Sequence, residues 1–188
     1  MEMREEAFAI LNKYVKEDFY IKHSLAVEAI MRALAEKLDP VHIEQWGIAG
    51  LLHDLDEESC PWQEDMKVHG PKSKEILIKE NFGDDILYNA IMAHNPKCGY
   101  RAKTKIEYAL LAADPMSGFI SAIARGYPDK KVNSVKVSSI LKRFKEARFA
   151  RGANRSYMLA IEKCGIELEE FAEIALSAMC EISEKIDL

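Results

Sequence analysis

A chain of 188 residues, of which 48% are hydrophobic and 30% charged, is typical of one globular domain with a substantial core. No apolar run approaches the roughly 18 residues of a membrane span, and the charged start at Met1 lacks the apolar core of a secretion signal, so the sequence predicts a cytoplasmic protein without a membrane partner. The net charge is −5, although residues 130–155 contain nine basic residues and one acid, Glu146. No recognised binding motif accompanies this basic segment, so nucleic acid is not an expected partner.

Apolar side chains recur with helical spacing almost everywhere, and the low content of glycine and proline also favours helices. The periodicity predicts helices at about residues 8–15, 21–38, 41–55, 71–82, 84–94, 105–125 and 168–182. One or two further short helices are expected in the last third of the chain. No strand pattern is found, so the predicted fold class is all-α.

Several helix boundaries carry local signals. Asp39 is a candidate N-cap for the third helix, with Pro40 in its first position. Gly83 is expected to end the fourth helix, and Pro115 to interrupt or kink the sixth. A loop is expected over residues 57–68.

The turn near residue 153 is also marked in the sequence. Gly152 and Asn154 are typical of a helix stop followed by a new N-cap. Three nearby arginines are candidates to fold back over a pocket, although the turn alone does not place them there: Arg148, Arg151 and Arg155.

Two aspartates directly follow apolar runs, which predicts that they are buried. They are Asp54, within Leu51–Leu55, and Asp114, within Leu110–Asp114. A buried carboxylate is costly unless it is paired or bound to a metal.

The histidines fall into two groups. His53 and His94 end apolar helices, His23 lies near the start of the second helix, and His69 lies in a loop before a helix. His42 lies in the first turn of a helix, near the polar residues Glu44 and Gln45, so we expect it at the surface. Imidazole together with carboxylate suits Zn, Fe, Mn or Ni. Hydrogen-bonded structural histidines are the alternative interpretation.

The ordered pattern of these residues resembles the HD-domain metal-dependent phosphohydrolase superfamily. His23, His53-Asp54 and Asp114 form its H…HD…D motif, over about residues 17–119. With His69 and His94 added, the longer pattern resembles the two-metal branch that includes HD-type symmetrical dinucleoside tetraphosphate hydrolases. The stretch from His53 to Glu57 is also similar to small, poorly characterised bacterial and archaeal HD hydrolases.

The resemblance implies a fold, a site and an activity. The fold would be a single HD-type helical bundle over residues 1–188, with a metal-binding core at about 17–125 and a C-terminal helical extension at about 126–188. The activity would be hydrolysis of a nucleotide or another small phosphate ester or anhydride by a metal-activated water. The cofactor would be one or two divalent ions, with Fe, Mn, Ni, Zn and Mg as candidates.

The ligand roles that the resemblance implies are divided between two ions. His23, His53, Asp54 and Asp114 would bind the first ion. Asp54 would also bridge to a second ion, which His69 and His94 would hold. Asp54 therefore has the central role in the expected chemistry.

Residues around the motif are candidates for supporting roles. Asp56 and Glu57 follow the HD pair and are candidates for proton transfer or for positioning water. Lys72, at the start of a helix whose free amides favour anions, and Lys103 are candidates to bind the substrate phosphate. Solvent-exposed charge is the alternative interpretation for each of these residues.

Three other interpretations are compatible with the same motif. A di-iron HD-type oxygenase uses a similar ligand set, and a nucleotide-binding sensor would use the fold without turnover. A helical protein with purely structural histidines is the third alternative. A homodimer is also possible if the helix at residues 168–182 buries its apolar face against a second copy rather than against its own core.

Overall fold

The computed structural model describes residues 3–60 and 64–188, and within these ranges it contains helices and no strand. Met1 and Pro61, which belong to the predicted charged start and the predicted loop, lie outside the described residues. The α-helices are α1 (Met3–Tyr14), α2 (Asp18–Leu38), α3 (Ile43–Leu52), α4 (Pro71–Lys79), α5 (Asp85–His94), α6 (Lys105–Arg125), α7 (Val137–Phe144), α8 (Arg155–Met158), α9 (Leu168–Glu181) and α10 (Ser183–Ile186). Short 3-10 helices lie at Pro96–Cys98, Val132–Ser134 and Leu159–Cys164. The all-α prediction is therefore confirmed.

The two longest helices, α2 and α6, form the centre of the bundle. Helix α2 packs against α3, α6 and α9, and α6 also packs against α5 and the turn at Leu159–Cys164. One continuous hydrophobic cluster includes Leu34, Leu51, Phe119 and Phe171. This cluster joins the central helices to the C-terminal ones.

The apolar face of α9 packs against the protein's own core. Phe171, Ala175 and Met179 on this helix are fully buried, and α9 packs against α2 within the chain. Of the two packing arrangements that the sequence leaves open, the structure shows the intramolecular one.

A glycine allows α2 and α3 to cross closely. A Cβ atom at Gly50 would lie 2.8 Å from the Val27 carbonyl oxygen and 2.9 Å from the Glu28 nitrogen, so a side chain there would force the helices apart. The close crossing brings the carboxyl end of α3 against the start of α2. His53 and His23 are carried on these two segments, with ring centroids 5.2 Å apart.

The third helix begins later than its sequence signals predict. Asp39 ends α2, with its amide bonded to the Ala35 carbonyl, and α3 begins at Ile43. The Asp39 carboxylate instead accepts hydrogen bonds from the Trp46 indole (3.2 Å) and the His42 imidazole (2.8 Å). The predicted N-cap role of Asp39 is therefore wrong. His42 is exposed, as predicted.

Helix α4 also ends earlier than predicted. Asn81 adopts a left-handed conformation with φ of 54°, which stops the helix two residues before Gly83. The amide of Phe82 bonds to the Leu77 carbonyl at 3.0 Å, and this turn returns the Phe82 ring to the core.

Helix α6 has the predicted bounds and runs without a break through Pro115, so it is not interrupted there, and the alternative of a kink stays a prediction. A capping box of Thr104 and Glu107 opens the helix. None of the helices in the described ranges is long and apolar enough to cross a membrane.

One of the two predictions for the turn near residue 153 is confirmed and the other is wrong. Asn154 is the N-cap of α8, and its side chain accepts from the Ser156 and Tyr157 amides. Gly152 does not stop a helix, because α7 ends at Phe144 and turns fill the interval. Arg155 satisfies the carbonyls of these turns.

Candidate metal centre

Four of the predicted ligands converge where α2, α3 and α6 meet. The His23 Nε2 atom lies 3.2 Å from Asp114 Oδ1 and 3.6 Å from Asp54 Oδ2. The His53 Nε2 atom lies 3.3 Å from Asp54 Oδ2 and 3.8 Å from Asp114 Oδ1. His23, His53 and Asp54 therefore offer ligand atoms that all lie within 4.8 Å of one another, and Asp114 lies beside the two histidines of this group.

The other two histidines approach the opposite oxygen of Asp54. The Nε2 atoms of His69 and His94 each lie 3.4 Å from Asp54 Oδ1 and 2.9 Å from one another. His69 lies directly before Gly70, the N-cap residue of α4, and His94 is the last residue of α5. Asp54 thus lies between two sets of donors, each facing a different oxygen of its carboxylate.

All four imidazoles of the cluster are oriented in the same way, with Nε2 inward and Nδ1 bonded to an acceptor outside the cluster. The acceptors are the Gly50 carbonyl for His53 (2.8 Å), the Asp56 carboxylate for His69 (2.9 Å), the Ile91 carbonyl for His94 and the Ser117 hydroxyl for His23 (3.1 Å). These acceptors select the tautomer whose proton is on Nδ1. In the neutral imidazoles the Nε2 atoms then face the interior, as in histidines that bind metals.

Two buried atoms of the cluster make no hydrogen bond within the described chain. They are His53 Nε2 and Asp54 Oδ1. Leaving such atoms unsatisfied is costly, and the cost disappears if a cation binds them. Two ligands at about 2.1 Å from one ion lie about 3.0–3.4 Å apart in octahedral or tetrahedral geometry. Four of the separations, from 3.2 to 3.4 Å, lie in this range, and the others are between 2.9 and 3.8 Å. The residues therefore fit divalent cations that accept nitrogen and oxygen ligands.

Asp56 supports the cluster from outside rather than facing its interior. It is fully buried, and its oxygens accept from His69 Nδ1 (2.9 Å), the Gly70 amide (2.8 Å) and the Ser73 amide (3.3 Å). Burial raises the pKa of this carboxyl, but the hydrogen bonds from His69 and Gly70 outweigh burial and lower it. Both oxygens are engaged, so the structure favours a positioning role for Asp56 over the predicted proton transfer.

Glu57 also lies on the outer side of His69, and it is not among the residues that line the cavity beside the cluster. Its carboxylate is 4.0 Å from His69 Nδ1 and mostly buried. Burial is the main cause that raises the pKa of Glu57 to about 7, and the negative charge of Asp54 adds to the effect. A carboxyl with this pKa holds or releases a proton near neutral pH, so the predicted role of Glu57 in proton transfer stays a prediction.

The cluster opens into a cavity of about 450 Å³. Four cluster residues line it: His23, His69, His94 and Asp114. Lys97, Met66, Pro115 and Tyr157 are among the other lining residues. Within the described ranges, Lys97 is the one lysine or arginine that lines this cavity.

Neither of the lysines predicted to bind phosphate lines the cavity. Lys72 is exposed on α4 and pairs with Glu75 at 2.8 Å, and the Lys103 ammonium lies 5.1 Å from the ring centroid of Tyr100. The amides at the start of α4, which suggested an anion site near Lys72, are bonded to the carboxylate of Asp56.

The arginines near residue 153 do not lie where they could bind a phosphate in the cavity either. None of the three predicted candidates lines the cavity: Arg148, Arg151 and Arg155. Arg148 and Arg151 are exposed, and Arg155 turns inward to backbone carbonyls. Lys97 was missed because only its position three residues after His94 connects it with the motif.

For the metal-free protein, we expect the free energy of unfolding to fall as the pH rises from about 6.5 to about 9. Burial alone lowers the pKa of the His69 imidazole, but its hydrogen bond to Asp56 and the charge of Asp54 raise it to about 9. Protonated His69 therefore stabilises the fold fully below its unfolded pKa of about 6.5 and loses this effect through pH 9. Glu57, whose pKa is raised from 4.5 to about 7, acts in the same direction at lower pH.

Urea unfolding of chelator-treated protein at about pH 6 and about pH 9 measures this change. The expected loss is on the order of 3 kcal/mol from His69. A His69→Gln variant provides the control and should show a smaller decline. Equal or greater stability of the wild type at the higher pH would contradict the assignment of the proton to this histidine.

Comparison with known proteins adds one match. A family model described as HD domain matches residues 20–117, which is more than half of the chain, and this range contains every residue of the cluster. Comparison with curated proteins gives no match, and comparison with solved structures gives none either.

Proposed function

We propose that this chain, which belongs to the HD domain family, is a metal-dependent phosphohydrolase that cleaves a nucleotide or another small phosphate ester or anhydride. The HD domain family consists mostly of metal-dependent hydrolases that act on small phosphate substrates. The observation that carries the proposal is the position of Asp54, whose two oxygens face separate sets of inward-pointing donors.

The proposed ligand sets follow from these distances. His23, His53, Asp54 and Asp114 would hold one ion, and Asp54, His69 and His94 would hold a second. A divalent ion held there supplies Lewis acidity, which withdraws charge from phosphoryl oxygens and makes water a nucleophile near neutral pH. Two such ions suit the two-metal branch that the sequence resembles.

Other side chains would orient the ligands, supply a proton and attract the substrate phosphate. Asp56 holds His69 in the tautomer that presents Nε2, and Ser117 does the same for His23. Glu57, 4.0 Å from His69 Nδ1, would act on the leaving oxygen only through an intervening water or His69, because it does not line the cavity. Lys97 would attract the substrate phosphate by its charge, because its ammonium is the cationic side chain at the cavity.

The cavity suits a small substrate. Its volume of about 450 Å³ lies in the range of roughly 300–1,000 Å³ that is usual for small-molecule sites. The whole chain is proposed to act as one domain, because the helices after residue 126 share the hydrophobic cluster of the metal-binding core.

The proposal is tested by a panel of phosphate compounds with separately added Mg²⁺, Mn²⁺, Fe²⁺, Ni²⁺ and Zn²⁺. The panel contains nucleoside mono-, di- and triphosphates, dinucleoside polyphosphates and simple phosphomonoesters. We expect release of phosphate or of a nucleotide with at least one metal, its loss on chelation and its return when metal is restored.

Two results would replace this function with one of the alternatives. Oxygen consumption by the iron-loaded protein, with every phosphate bond intact, would indicate an oxygenase. Tight binding of a nucleotide without turnover in the presence of any of the five metals would indicate a sensor.

A further inference from the structure

One wall of the cavity comes from a segment outside the range that matches the family. Residues 150–157 contribute Ala150, Gly152, Ala153, Asn154 and Tyr157 to the lining of the same cavity as His23, His69 and His94. We call these five residues the C-terminal wall. Because it does not belong to the matched range of 20–117, it is a feature that family membership does not explain.

Arg155 holds the C-terminal wall in one conformation. Its guanidinium donates to the carbonyls of Ala150 and Ala153, each at 2.7 Å, and to the carbonyl of Phe149. The same guanidinium lies 4.6 Å from the ring centroid of Phe119 in α6, one and a half turns after Asp114. The wall is therefore anchored to the helix that carries a proposed metal ligand.

The start of α8 sets the direction of Tyr157. The Asn154 side chain accepts from the amides of Ser156 (3.0 Å) and Tyr157 (3.3 Å), which orients the first turn. The half-buried Tyr157 ring then forms part of the cavity surface. These hydrogen bonds hold the backbone from which the Tyr157 side chain projects.

The chemistry of the C-terminal wall differs from that of the metal cluster. The wall carries no charged side chain, and the neighbouring lining residues Met66 and Pro115 are apolar. Lys97 and Asp114 supply the charged part of the same cavity. Such a surface suits a ligand that has an anionic group at one end and a flat apolar group at the other, since aromatic rings stack favourably on tyrosine.

We infer that Tyr157 is a specificity-determining residue, and that the C-terminal wall selects phosphate compounds whose organic part carries an aromatic ring. The inference rests on the proposed phosphohydrolase function and deepens it by naming this substrate class. The phosphate would lie at the metal cluster and Lys97, and the ring would stack on Tyr157.

Binding of two non-hydrolysable probes tests the inference without relying on turnover. Phenylphosphonate and methylphosphonate are titrated into protein loaded with the metal that supports hydrolysis, or with Mn²⁺ if none does, and the heat of binding is measured. We expect the wild type to bind phenylphosphonate roughly three- to tenfold more tightly than methylphosphonate, as one aromatic contact contributes.

Three variants locate the origin of this preference. Tyr157→Leu keeps the bulk of the side chain and should bind both probes with similar affinity. Lys97→Gln should weaken both probes by a similar factor and keep the preference. Tyr14→Leu, which changes a half-buried tyrosine that does not line the cavity, should behave as the wild type.

The inference is overturned if the wild type does not distinguish the probes, if it binds neither of them, or if Tyr157→Leu keeps the preference. Its failure is separable from failure of the proposed function. The function is judged by release of phosphate across the substrate panel, whereas the inference is judged by the ratio of two binding constants.

Discussion

Asp54→Asn is expected to remove bound metal and to lower phosphate release by at least about a thousandfold. The amide keeps the size of the side chain but replaces one oxygen by an NH₂ group, which cannot bind a cation. Because the two oxygens of Asp54 face different donor sets, the substitution prevents bridging between them. Bound metal contributes several kcal/mol to such reactions, and about 1.4 kcal/mol corresponds to tenfold in rate.

Metal analysis of purified protein and the initial rate on the best substrate measure both effects of Asp54→Asn. Asp85→Ala provides the matched control, since Asp85 is an exposed aspartate in the first turn of α5. Full metal content and full activity in Asp54→Asn would show that this aspartate is not a ligand, and the proposed centre would fail with it.

His94→Ala is expected to remove one of two ions and to lower activity by at least about a hundredfold, the upper end of what loss of a residue supporting a metal ligand costs. His94 lies 3.4 Å from Asp54 Oδ1, on the side of Asp54 away from His23 and His53. Its other nitrogen bonds only to the Ile91 carbonyl of its own helix. The variant also removes an edge-to-face contact with His53, whose ring centroid lies 5.2 Å away, but it leaves Asp56 and its partners intact, whereas loss of His69 would leave Asp56 without its partner.

Metal-to-protein ratios of the wild type and of His94→Ala, each loaded under the same conditions, decide this prediction. His42→Ala is the control, because His42 is exposed and lies outside the cluster. Two ions in both proteins would contradict the two-metal arrangement, and one ion in both would favour a mononuclear centre.

The resemblance to the HD family implied all six residues of the cluster, whereas local chemistry by itself marked only its two aspartates. Asp54 and Asp114 follow apolar runs, so their burial could be predicted, and burial of a carboxylate demands a partner. The helix bounds of α6 were also predictable, since its capping residues and apolar periodicity agree. In such segments the structure that the local sequence favours is also the one that packing in the fold requires.

Contacts between distant segments could not be predicted in this way. Proximity along the chain made Asp56 a candidate for chemistry, but its carboxylate bonds to amides at the start of α4, beyond the predicted loop. The same bonds occupy the amides at the start of α4, which had suggested an anion site near Lys72. Tyr157 and Lys97 meet at one cavity only because helices of the C-terminal third pack on α6, and no local pattern encodes that packing.

The distance along the chain between the cluster residues has a consequence for the amount of protein in a cell. The Ser117 hydroxyl and the imidazole of His23 that it orients are 94 positions apart, so only the native fold assembles the cluster. An ion that binds only this fold protects it by about 2.7 kcal/mol at a hundredfold excess over its dissociation constant. During metal scarcity, unprotected copies would be degraded faster, and the abundance of the protein would therefore follow the supply of its metal.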